Sequence, residues 1–535
     1  MLKKLLFISF IFFQYVGFAQ EDAWVFFADK EDVTSALANP LTILTQKAID
    51  RKANHNVDID ERDVPVNEGY ITQIKNSSGI FVMAKSKWFN AIHVRGSQTE
   101  INDLLNLGFV ASVKFADNSL NMAPNQNNQS KNKFSIEDTM IDFEYGNTQN
   151  QVEMISAHTL HELDYTGEGV TVAILDAGFP NVNTMGAFQR LRDAGKLLNG
   201  YDFVNRTENI YNYTGNTHGT KVLSTMAGFI QEEFVGTAPD ASYYVFRTEE
   251  AEHENPVEES YWVEAAERAD SLGVDIINTS LGYKGYDNPN YSYTSNDLDG
   301  NTAFITRGAN IAFDKGMLLV NSAGNSGASG VNAPADAAGV FSIGAVDLNG
   351  EYVSFSSQGS GIQSTQKPDV VARGAASYVI GPNNVIVQNN GTSFSSPIMA
   401  GGLACLRQAL PDLTNAEIMQ LVRESASQYT TPDYFLGYGI PDLANALATE
   451  LSNQNSERTA FAIFPNPVKT DLQILFPNAI ESAKLYIHDI LGKLIMDATI
   501  QPFNPINLQQ LSSGIYWLKI EAQGTDSKSL KLIKQ

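Results

Sequence analysis

Cysteine is almost absent from this chain of 535 residues, in which Cys405 is the only one. No disulfide can therefore form within the chain. Its scarcity does not argue against export, because a chain of this length can bury a sufficient core without crosslinks. Cys405 lies in an apolar segment, so a packed core thiol is a better prediction for it than a nucleophile.

Basic residues are also scarce, with 36 Lys and Arg against 60 Asp and Glu and a net charge of −24. This balance argues against nucleic acid as a partner, and it suits a protein that works outside the cell. Net charge alone says nothing about the substrate.

Long apolar runs are missing as well. The apolar stretch at residues 5–13 is too short for a membrane span, and we expect no span elsewhere in the chain. Lys3 and Lys4 precede this stretch, and small residues follow it up to Ala19. The pattern is typical of a secretory signal peptide over residues 1–19, cleaved before Gln20.

The rest of the chain divides by composition and pattern. Residues 20–122 mix short strands and helices, which predicts a small α+β unit. Residues 123–149 are polar and indicate a linker. Strands and helices alternate over 150–447, which predicts a parallel sheet with helices on both faces. A polar linker at 448–459 is then followed by short alternating strands over 460–535, which predict a small β-sandwich.

The most informative stretch follows a short predicted strand at residues 385–387. Gly391 allows the backbone to turn sharply, and Ser393 then opens an apolar helix. A serine placed there has an exposed hydroxyl, and its unpaired N–H points where an anion could lie. These are the requirements of an acyl-transfer nucleophile, although an ordinary serine cap of a helix is the alternative.

Two upstream residues have the chemistry to assist such a serine. Asp176 ends a buried strand over residues 170–175, and catalytic groups collect at the carboxyl ends of such strands. Taken alone, Asp176 could cap a turn or bind a ribose, but no G-x-G-x-x-G pattern follows it. His218 opens a predicted helix, and a lone histidine there would more often be structural.

Taken together, three motifs resemble those of the subtilisin-like serine proteases, the subtilases. They are Asp-Ala-Gly at 176–178, His-Gly-Thr-Lys-Val at 218–222 and Gly-Thr-Ser-Phe-Ser-Ser-Pro at 391–397, in the order that subtilisin uses. Ala177 departs from the usual Ser or Thr, and Ser395 stands where Ala is commonest. The resemblance covers roughly residues 150–447.

The resemblance implies a catalytic triad of Asp176, His218 and Ser393. It also implies that Asn325, within Ala-Gly-Asn, supplies a side-chain N–H to an oxyanion hole. The same resemblance implies two walls of a substrate groove, formed by Ser280, Leu281 and Gly282 and by Ser322, Ala323 and Gly324.

The implied activity is that of a secreted serine endopeptidase acting on proteins or peptides, with no cofactor needed for the chemistry. A structural calcium ion is a further expectation, since subtilases often carry one. Asp287, Asp297 and Asp299 lie in a polar insertion and are candidate ligands, but a solvated loop is the preferred interpretation, because their spacing does not match an EF-hand loop.

Both ends of the chain carry separate resemblances. Residues 20–122 resemble a subtilase pro-domain, which packs on the catalytic domain and assists its folding. Residues 460–535 resemble the C-terminal sorting domain of the type IX secretion system, through Phe-Pro-Asn-Pro at 464–467, Asp-Ile-Leu-Gly-Lys at 489–493 and Leu-Ser-Ser-Gly-Ile-Tyr at 511–516. Together they imply a zymogen that the secretion machinery exports across both membranes of a Gram-negative cell.

Other interpretations remain open at this point. The N-terminal unit could be an unrelated domain, and the C-terminal unit could bind carbohydrate or protein. The central domain could be a catalytically silent, surface-binding protein on a protease scaffold. An esterase is a third possibility, but the nucleophile motif is not G-x-S-x-G.

Overall fold

The computed structural model describes residues 20–121, 146–456 and 461–534, the last range with gaps at 465, 467, 469, 477–479, 481, 503 and 523–526. The signal peptide predicted at 1–19 and most of the linker predicted at 123–149 lie outside the described residues. The chain forms two compact units, one ending at Ala444 and the other beginning at Asn445.

The first unit begins with a four-stranded antiparallel sheet of strand order β2-β3-β1-β4. Its strands are β1 (Glu21–Phe27), β2 (Phe81–Ser86), β3 (Ala91–Gly96) and β4 (Val110–Phe115). Its helices are α1 (Val33–Ala38), α2 (Gln46–Asn54), α3 (Glu68–Lys75) and α4 (Gln98–Asp103). Apolar side chains of the sheet, α3 and α4 form one core, so this part is the α+β unit that the sequence predicts.

Two features of this N-terminal part differ from the prediction. The sequence over residues 42–54 predicts one helix, but the helix begins at Gln46, because the Thr45 hydroxyl caps it by accepting a hydrogen bond from the Ala48 N–H. Helices α1 and α3 were not predicted. Helix α3 contains a glycine and three β-branched residues, Ile71, Thr72 and Ile74, which weaken its sequence signal, and the Asn67 side chain caps its first turn.

The remainder of the first unit is built on a parallel sheet. This remainder contains the strands β5 (Thr171–Asp176), β6 (Tyr201–Asp202), β7 (Phe229–Ile230), β8 (Phe234–Val235), β9 (Ser242–Arg247), β10 (Ile276–Thr279), β11 (Leu318–Ser322), β12 (Val340–Val346), β13 (Val370–Arg373), β14 (Ser377–Ile380) and β15 (Ile386–Asn389). Strands β7 and β8 pair with each other, as do β14 and β15. Its helices are α5 (Gln149–Glu153), α6 (Ala157–Glu162), α7 (Gln189–Asp193), α8 (His218–Ala227), α9 (Val257–Leu272), α10 (Phe304–Asp314), α11 (Thr392–Ala409) and α12 (Asn415–Glu424).

Seven of these strands form the central sheet in the order β13-β12-β11-β10-β5-β9-β6, and every pair is parallel. Its strands are buried almost throughout, as expected for a sheet covered on both faces. Ala173, Leu175, Ile277 and Leu319 share a core with α9 and α10, while α8 and α11 pack together and contact the same sheet. This is the doubly covered parallel sheet that the sequence predicts.

The strand order determines where the polar strand ends meet. Strands β5, β10 and β11 are neighbours, and all of them run in the same direction. Asp176 therefore lies at the same edge of the sheet as residues 280–282 and 322–325, although these stretches are far apart in sequence.

The N-terminal sheet covers α9 of the part that is built on the parallel sheet. The Glu267 carboxylate accepts hydrogen bonds from the Ser86 hydroxyl (2.6 Å) and from the N–H groups of Lys87 and Trp88 (2.9 Å each). Trp24 stacks on Phe304 of α10, with ring centroids 4.6 Å apart. The two parts therefore share a single buried interface of apolar and charged contacts.

Both predicted linkers need correction at their ends. The N–H groups of Gly146 and Asn147 donate hydrogen bonds to the carbonyl oxygens of residues 232 and 233, and α5 begins at Gln149, so the packed part that contains the parallel sheet starts before residue 150. The second linker, predicted from 448, is helical up to Ser456 within α13 (Leu443–Ser456). Leucine, alanine and glutamate favour a helix there, and this outweighs the polar composition.

The second unit has two antiparallel sheets, of orders β16-β17-β20 and β19-β18-β21-β22. The strands are β16 (Ala462–Phe464), β17 (Asp471–Leu475), β18 (Ala483–Asp489), β19 (Leu494–Ile500), β20 (Ile506–Asn507), β21 (Gly514–Glu521) and β22 (Lys528–Lys534). Leu472 and Ile474 of the first sheet share a core with Leu485, Ile487 and Leu518 of the second. The unit is the β-sandwich expected from the sequence.

Cys405 lies on α11 and is fully buried. Its thiol donates a hydrogen bond to the Thr237 carbonyl oxygen at 3.1 Å. Burial raises the pKa of the Cys405 thiol. These contacts agree with a core thiol.

Candidate active site

Asp176 and His218 form the first half of the site. The fully buried carboxylate of Asp176 accepts a hydrogen bond from the Ala177 N–H at 2.7 Å, and its two oxygens lie 2.8 and 3.0 Å from His218 Nδ1. His218 is the first residue of α8, and its own N–H donates to the Asn216 side chain. Because Nδ1 faces a carboxylate, the neutral ring holds its proton on Nδ1, which directs Nε2 to accept a proton from elsewhere.

Ser393 lies in the first turn of α11, after a glycine with φ of +144°. The Ser393 hydroxyl donates to the Ser280 carbonyl oxygen at 3.2 Å. In return, the Ser280 hydroxyl donates to the Ser393 carbonyl oxygen at 2.9 Å. This reciprocal pair fixes the start of α11 against the end of β10.

The reciprocal pair is supported by a further buried contact. Asn278 Nδ2 donates to the Ser280 hydroxyl at 3.2 Å, and Asn278 Oδ1 accepts from the Ser396 hydroxyl at 2.9 Å. All three side chains are buried. The sequence analysis did not single out Asn278 or Ser396, although a polar residue within the apolar strand at 276–279 was a signal that could have drawn attention to Asn278.

The packing of α8 against α11 brings His218 close to the start of α11, where Ser393 lies. The two helices contact each other, and the His218 ring centroid lies 5.9 Å from that of Phe394, the residue after Ser393. The structure thus gathers Asp176, His218 and Ser393 at one edge of the sheet.

Asn325 lies beside the same helix start. Its Oδ1 accepts hydrogen bonds from the Thr392 N–H (2.9 Å) and the Thr392 hydroxyl (3.0 Å). These bonds identify the oxygen end of the amide and leave Nδ2 as a donor without a partner in the described part of the chain. The Ser393 N–H likewise donates to no described residue, so two donors are available near the Ser393 hydroxyl.

The two stretches predicted as groove walls follow neighbouring strands. Ser280, Leu281, Ser322 and Ala323 are buried, while Gly282 and Gly324 are partly exposed. Asn321 Nδ2 donates to the Leu281 carbonyl oxygen at 3.1 Å and so joins the two stretches. Within the described residues, the main chain of Gly282 makes no hydrogen bond, which leaves an open edge where an extended peptide could pair.

The candidate calcium ligands do not come together. The Asp297 carboxylate accepts a hydrogen bond from the Thr294 N–H, and the Asp299 carboxylate accepts from the N–H groups of Asn301 and Thr302 in its own loop. Asp287 lies against Glu254 and His253. Among the described residues, no three carboxylate, histidine or cysteine side chains are grouped as a metal site would require.

The comparison with protein families agrees with this site. The model described as "Subtilase family" matches residues 167–439, more than half of the chain, and this range contains every residue of the site described above. The chain belongs to the subtilase family. It is a serine-type peptidase.

Two further family models match the flanking parts of this subtilase. The "Peptidase S8 propeptide domain, Bacteroidota" matches residues 22–133, and the "Secretion system C-terminal sorting domain" matches residues 462–535. The first match indicates that the peptidase is made as a zymogen, and the second indicates type IX secretion to the cell surface or exterior. No helix in the described ranges is both long and apolar enough to span a membrane.

The chain is also similar to two subtilisins and to one solved structure. Subtilisin BL of Lederbergia lenta is 30% identical over 280 residues, covering 52% of this chain and 90% of that protein. Subtilisin E of Bacillus subtilis (strain 168) is 30% identical over 315 residues, covering 57% and 73%. The crystal structure of MycP1 from Mycobacterium smegmatis has a TM-score of 0.47 and 21% identity, covering 58% of this chain and 89% of its own.

Proposed function

We propose that this subtilase is an endopeptidase that cleaves proteins through an acyl-enzyme on Ser393. In this mechanism Ser393 Oγ attacks the scissile carbonyl, and His218 takes its proton and then gives it to the leaving amine. Asp176 holds the imidazole by its Nδ1–H and stabilises the imidazolium. The observation that carries the proposal is the buried Asp176–His218 pair next to the start of the helix that bears Ser393.

The negative charge that develops on the carbonyl oxygen needs donors that are already in place. Asn325 Nδ2 and the Ser393 N–H are proposed to supply them. Their support is that the Asn325 oxygen is held by Thr392, which orients the NH₂ group before substrate arrives. The main chain at Gly282 would pair with the substrate as an added strand.

Replacing Ser393 with alanine tests the proposal. The wild-type chain from residue 20 and the Ser393→Ala variant are expressed side by side, and chain mass and hydrolysis of a denatured protein are followed over time. We expect the wild type to shed its N-terminal part and to digest the substrate, and the variant to do neither.

Ser395→Ala provides a matched control. Ser395 lies on the same helix turn, is fully buried and donates to the Thr392 carbonyl, so its loss removes one local hydrogen bond and no proposed catalytic group. We expect this variant to remain active. Equal hydrolysis by the wild type and Ser393→Ala would show that Ser393 is not the nucleophile, and no hydrolysis by the wild type would support a silent scaffold; either result would overturn the proposal.

A further inference from the structure

Asn278 is a polar residue in the middle of the central sheet. On β10 it stands between Ile277 and Thr279, and it is in register with Ile174 of β5 and Val320 of β11. Its side chain is fully buried. An amide in such a place is costly unless its donor and its acceptor are both bonded, so its partners indicate why it is there.

Both ends of this amide lead to the first turn of α11. Asn278 Nδ2 donates to the Ser280 hydroxyl at 3.2 Å, and that hydroxyl donates in turn to the Ser393 carbonyl oxygen at 2.9 Å. Asn278 Oδ1 accepts from the Ser396 hydroxyl at 2.9 Å. One amide of the sheet therefore holds the helix at two points, once through Ser280 and once directly.

The two points lie close together on the helix surface. Ser393 and Ser396 are three positions apart, and residues at this spacing are neighbours on one face of a helix. A single attachment would allow α11 to tilt and to turn about that point, whereas two attachments oppose both movements. The bonds of Asn278 therefore determine how the start of α11 is rotated relative to the sheet.

This rotation matters because the reacting groups stand on different elements. Ser393 Oγ moves with α11, whereas the His218 ring is held by Asp176 at the end of β5. A rotation of α11 would therefore displace Oγ relative to the imidazole, which does not follow. An error of about 1 Å between reacting groups can cost roughly 100-fold in rate.

We propose that Asn278 is a positioning residue for the proposed reaction. It acts through the hydroxyls of Ser280 and Ser396 and holds the first turn of α11 at the rotation that presents the nucleophile to His218. An amide suits this task because it donates and accepts at once. A carboxylate could not donate to Ser280, and an apolar side chain could do neither. The inference rests on the proposed role of Ser393.

Asn278→Leu tests the inference, because leucine has the same branching and makes neither hydrogen bond. The matured full-length enzyme and the variant are compared by hydrolysis of a peptide anilide, and the active molecules in each sample are counted by titration with a serine-directed inhibitor. We expect kcat per active molecule to fall by about 100-fold while KM stays within about threefold, because the bonds act on the nucleophile and not on the substrate.

Ser396→Ala is a milder variant that removes one of the two attachments and only a hydroxyl group. In the otherwise wild-type enzyme it should lower kcat by about 10-fold. Added to Asn278→Leu it should have no further effect, because the partner of that hydroxyl is already missing. Two independent structural roles would instead give losses that multiply.

Asn415→Leu is the matched control. Asn415 is also a buried asparagine, and its Oδ1 accepts a hydrogen bond from Arg407, at the end of α11 remote from Ser393. The substitution and the helix are thus the same, but the attachment lies away from the nucleophile. This variant should lose stability towards urea and keep the kcat of the wild type.

The remaining outcomes would overturn the inference. An unchanged kcat per active molecule in Asn278→Leu and Ser396→Ala, or an equal fall in Asn415→Leu, would show that Asn278 supports the core without positioning the nucleophile, and the proposed function would stand. A rise in KM with unchanged kcat would show that Asn278 acts on substrate binding. A wild type that hydrolyses neither the anilide nor a denatured protein would overturn the proposed function and the inference together.

Discussion

Gly391 combines an unusual backbone conformation with a position beside Asn325. Its φ of +144° is one that side-chain-bearing residues rarely adopt, and a methyl group there would lie 3.4 Å from Asn325 Nδ2. The residue thus lies between the nucleophile and the proposed oxyanion donor. Backbone strain at Gly391 would therefore displace one group relative to the other and slow the reaction.

Gly391→Ala should therefore lower kcat by about 10-fold or more and reduce the free energy of unfolding by about 1–3 kcal/mol. Gly195→Ala is the matched control, because Gly195 also has a positive φ, +68°, but no atom lies within 4 Å of the methyl position. The control should lose stability and keep its activity. Steady-state kinetics and urea unfolding distinguish the two, and equal kinetic losses in both variants would contradict the local explanation.

Asn325→Ala removes one donor that acts on the charged intermediate. A change at such a donor typically lowers kcat by about 100- to 1,000-fold. Because the substrate does not yet carry the charge in the ground state, KM should change little. A rise in KM with unchanged kcat would instead mean that Asn325 binds the ground state and the transition state equally well.

At the scale of elements, α9 has a double role. One side of it packs on the central sheet, and Glu267 on the same helix holds the turn of the N-terminal part at residues 86–88. Desolvation by burial raises the pKa of Glu267 to about 7, and this effect outweighs the lowering by the Lys87 charge and by its three hydrogen bonds. Lys30 is a second positive charge that acts on this group.

This pKa predicts how the binding of the cleaved pro-domain depends on pH. In the complex Glu267 keeps its proton up to about pH 7, whereas a solvent-exposed Glu267 would lose it near its ordinary value of 4.5. Between these values the complex binds more protons than the separated parts, so its affinity falls as pH rises through this window and levels off above it. The titration of Glu267 alone should lower the affinity for the cleaved pro-domain by on the order of 100-fold across this window.

Glu267→Gln should flatten that profile, because an amide does not titrate. The fraction of cleaved pro-domain that stays bound is measured by size-exclusion chromatography between pH 4.5 and pH 8 for wild type and variant. Parallel profiles for the two proteins would show that other interface groups determine the pH dependence.

The elements also show what the sequence could and could not predict. The strand carrying Asp176 and the helices that begin near His218 and Ser393 are local patterns, with apolar runs that end at polar residues, and they lie where the sequence predicts them. The reciprocal hydrogen bonds between Ser280 and Ser393 join segments that no local pattern connects. Helix α13 was missed for a different reason. Its leucine, alanine and glutamate residues favour a helix, but the polar composition of the segment indicated a linker.

At the scale of the whole molecule, the C-terminal sandwich has a core of its own, separate from the first unit. We therefore expect a chain that ends at Ser456 to keep its hydrolytic activity towards a denatured protein, within about twofold of the full chain, because none of the proposed catalytic groups lies beyond that residue. In the native host the same truncation should abolish export, since the sorting domain is missing.

Activity of the purified truncated chain and fractionation of the host cells check the two halves of this expectation. Loss of activity in a truncated chain that still has a cooperative unfolding transition would show that the sandwich contributes to catalysis. Secretion of the truncated chain at the normal level would show that the sorting signal lies elsewhere.

The single thiol of this chain, Cys405, is buried on the same helix that carries Ser393, so its reactivity reports whether that helix is packed in place. An alkylating reagent can reach that sulfur only when α11 separates from its neighbours. Each molecule takes up one label, and the rate of labelling therefore measures how often this helix opens. The labelling rate of the unmodified protein thus reports, with no engineered probe, how often the exported peptidase passes through a state that cannot work.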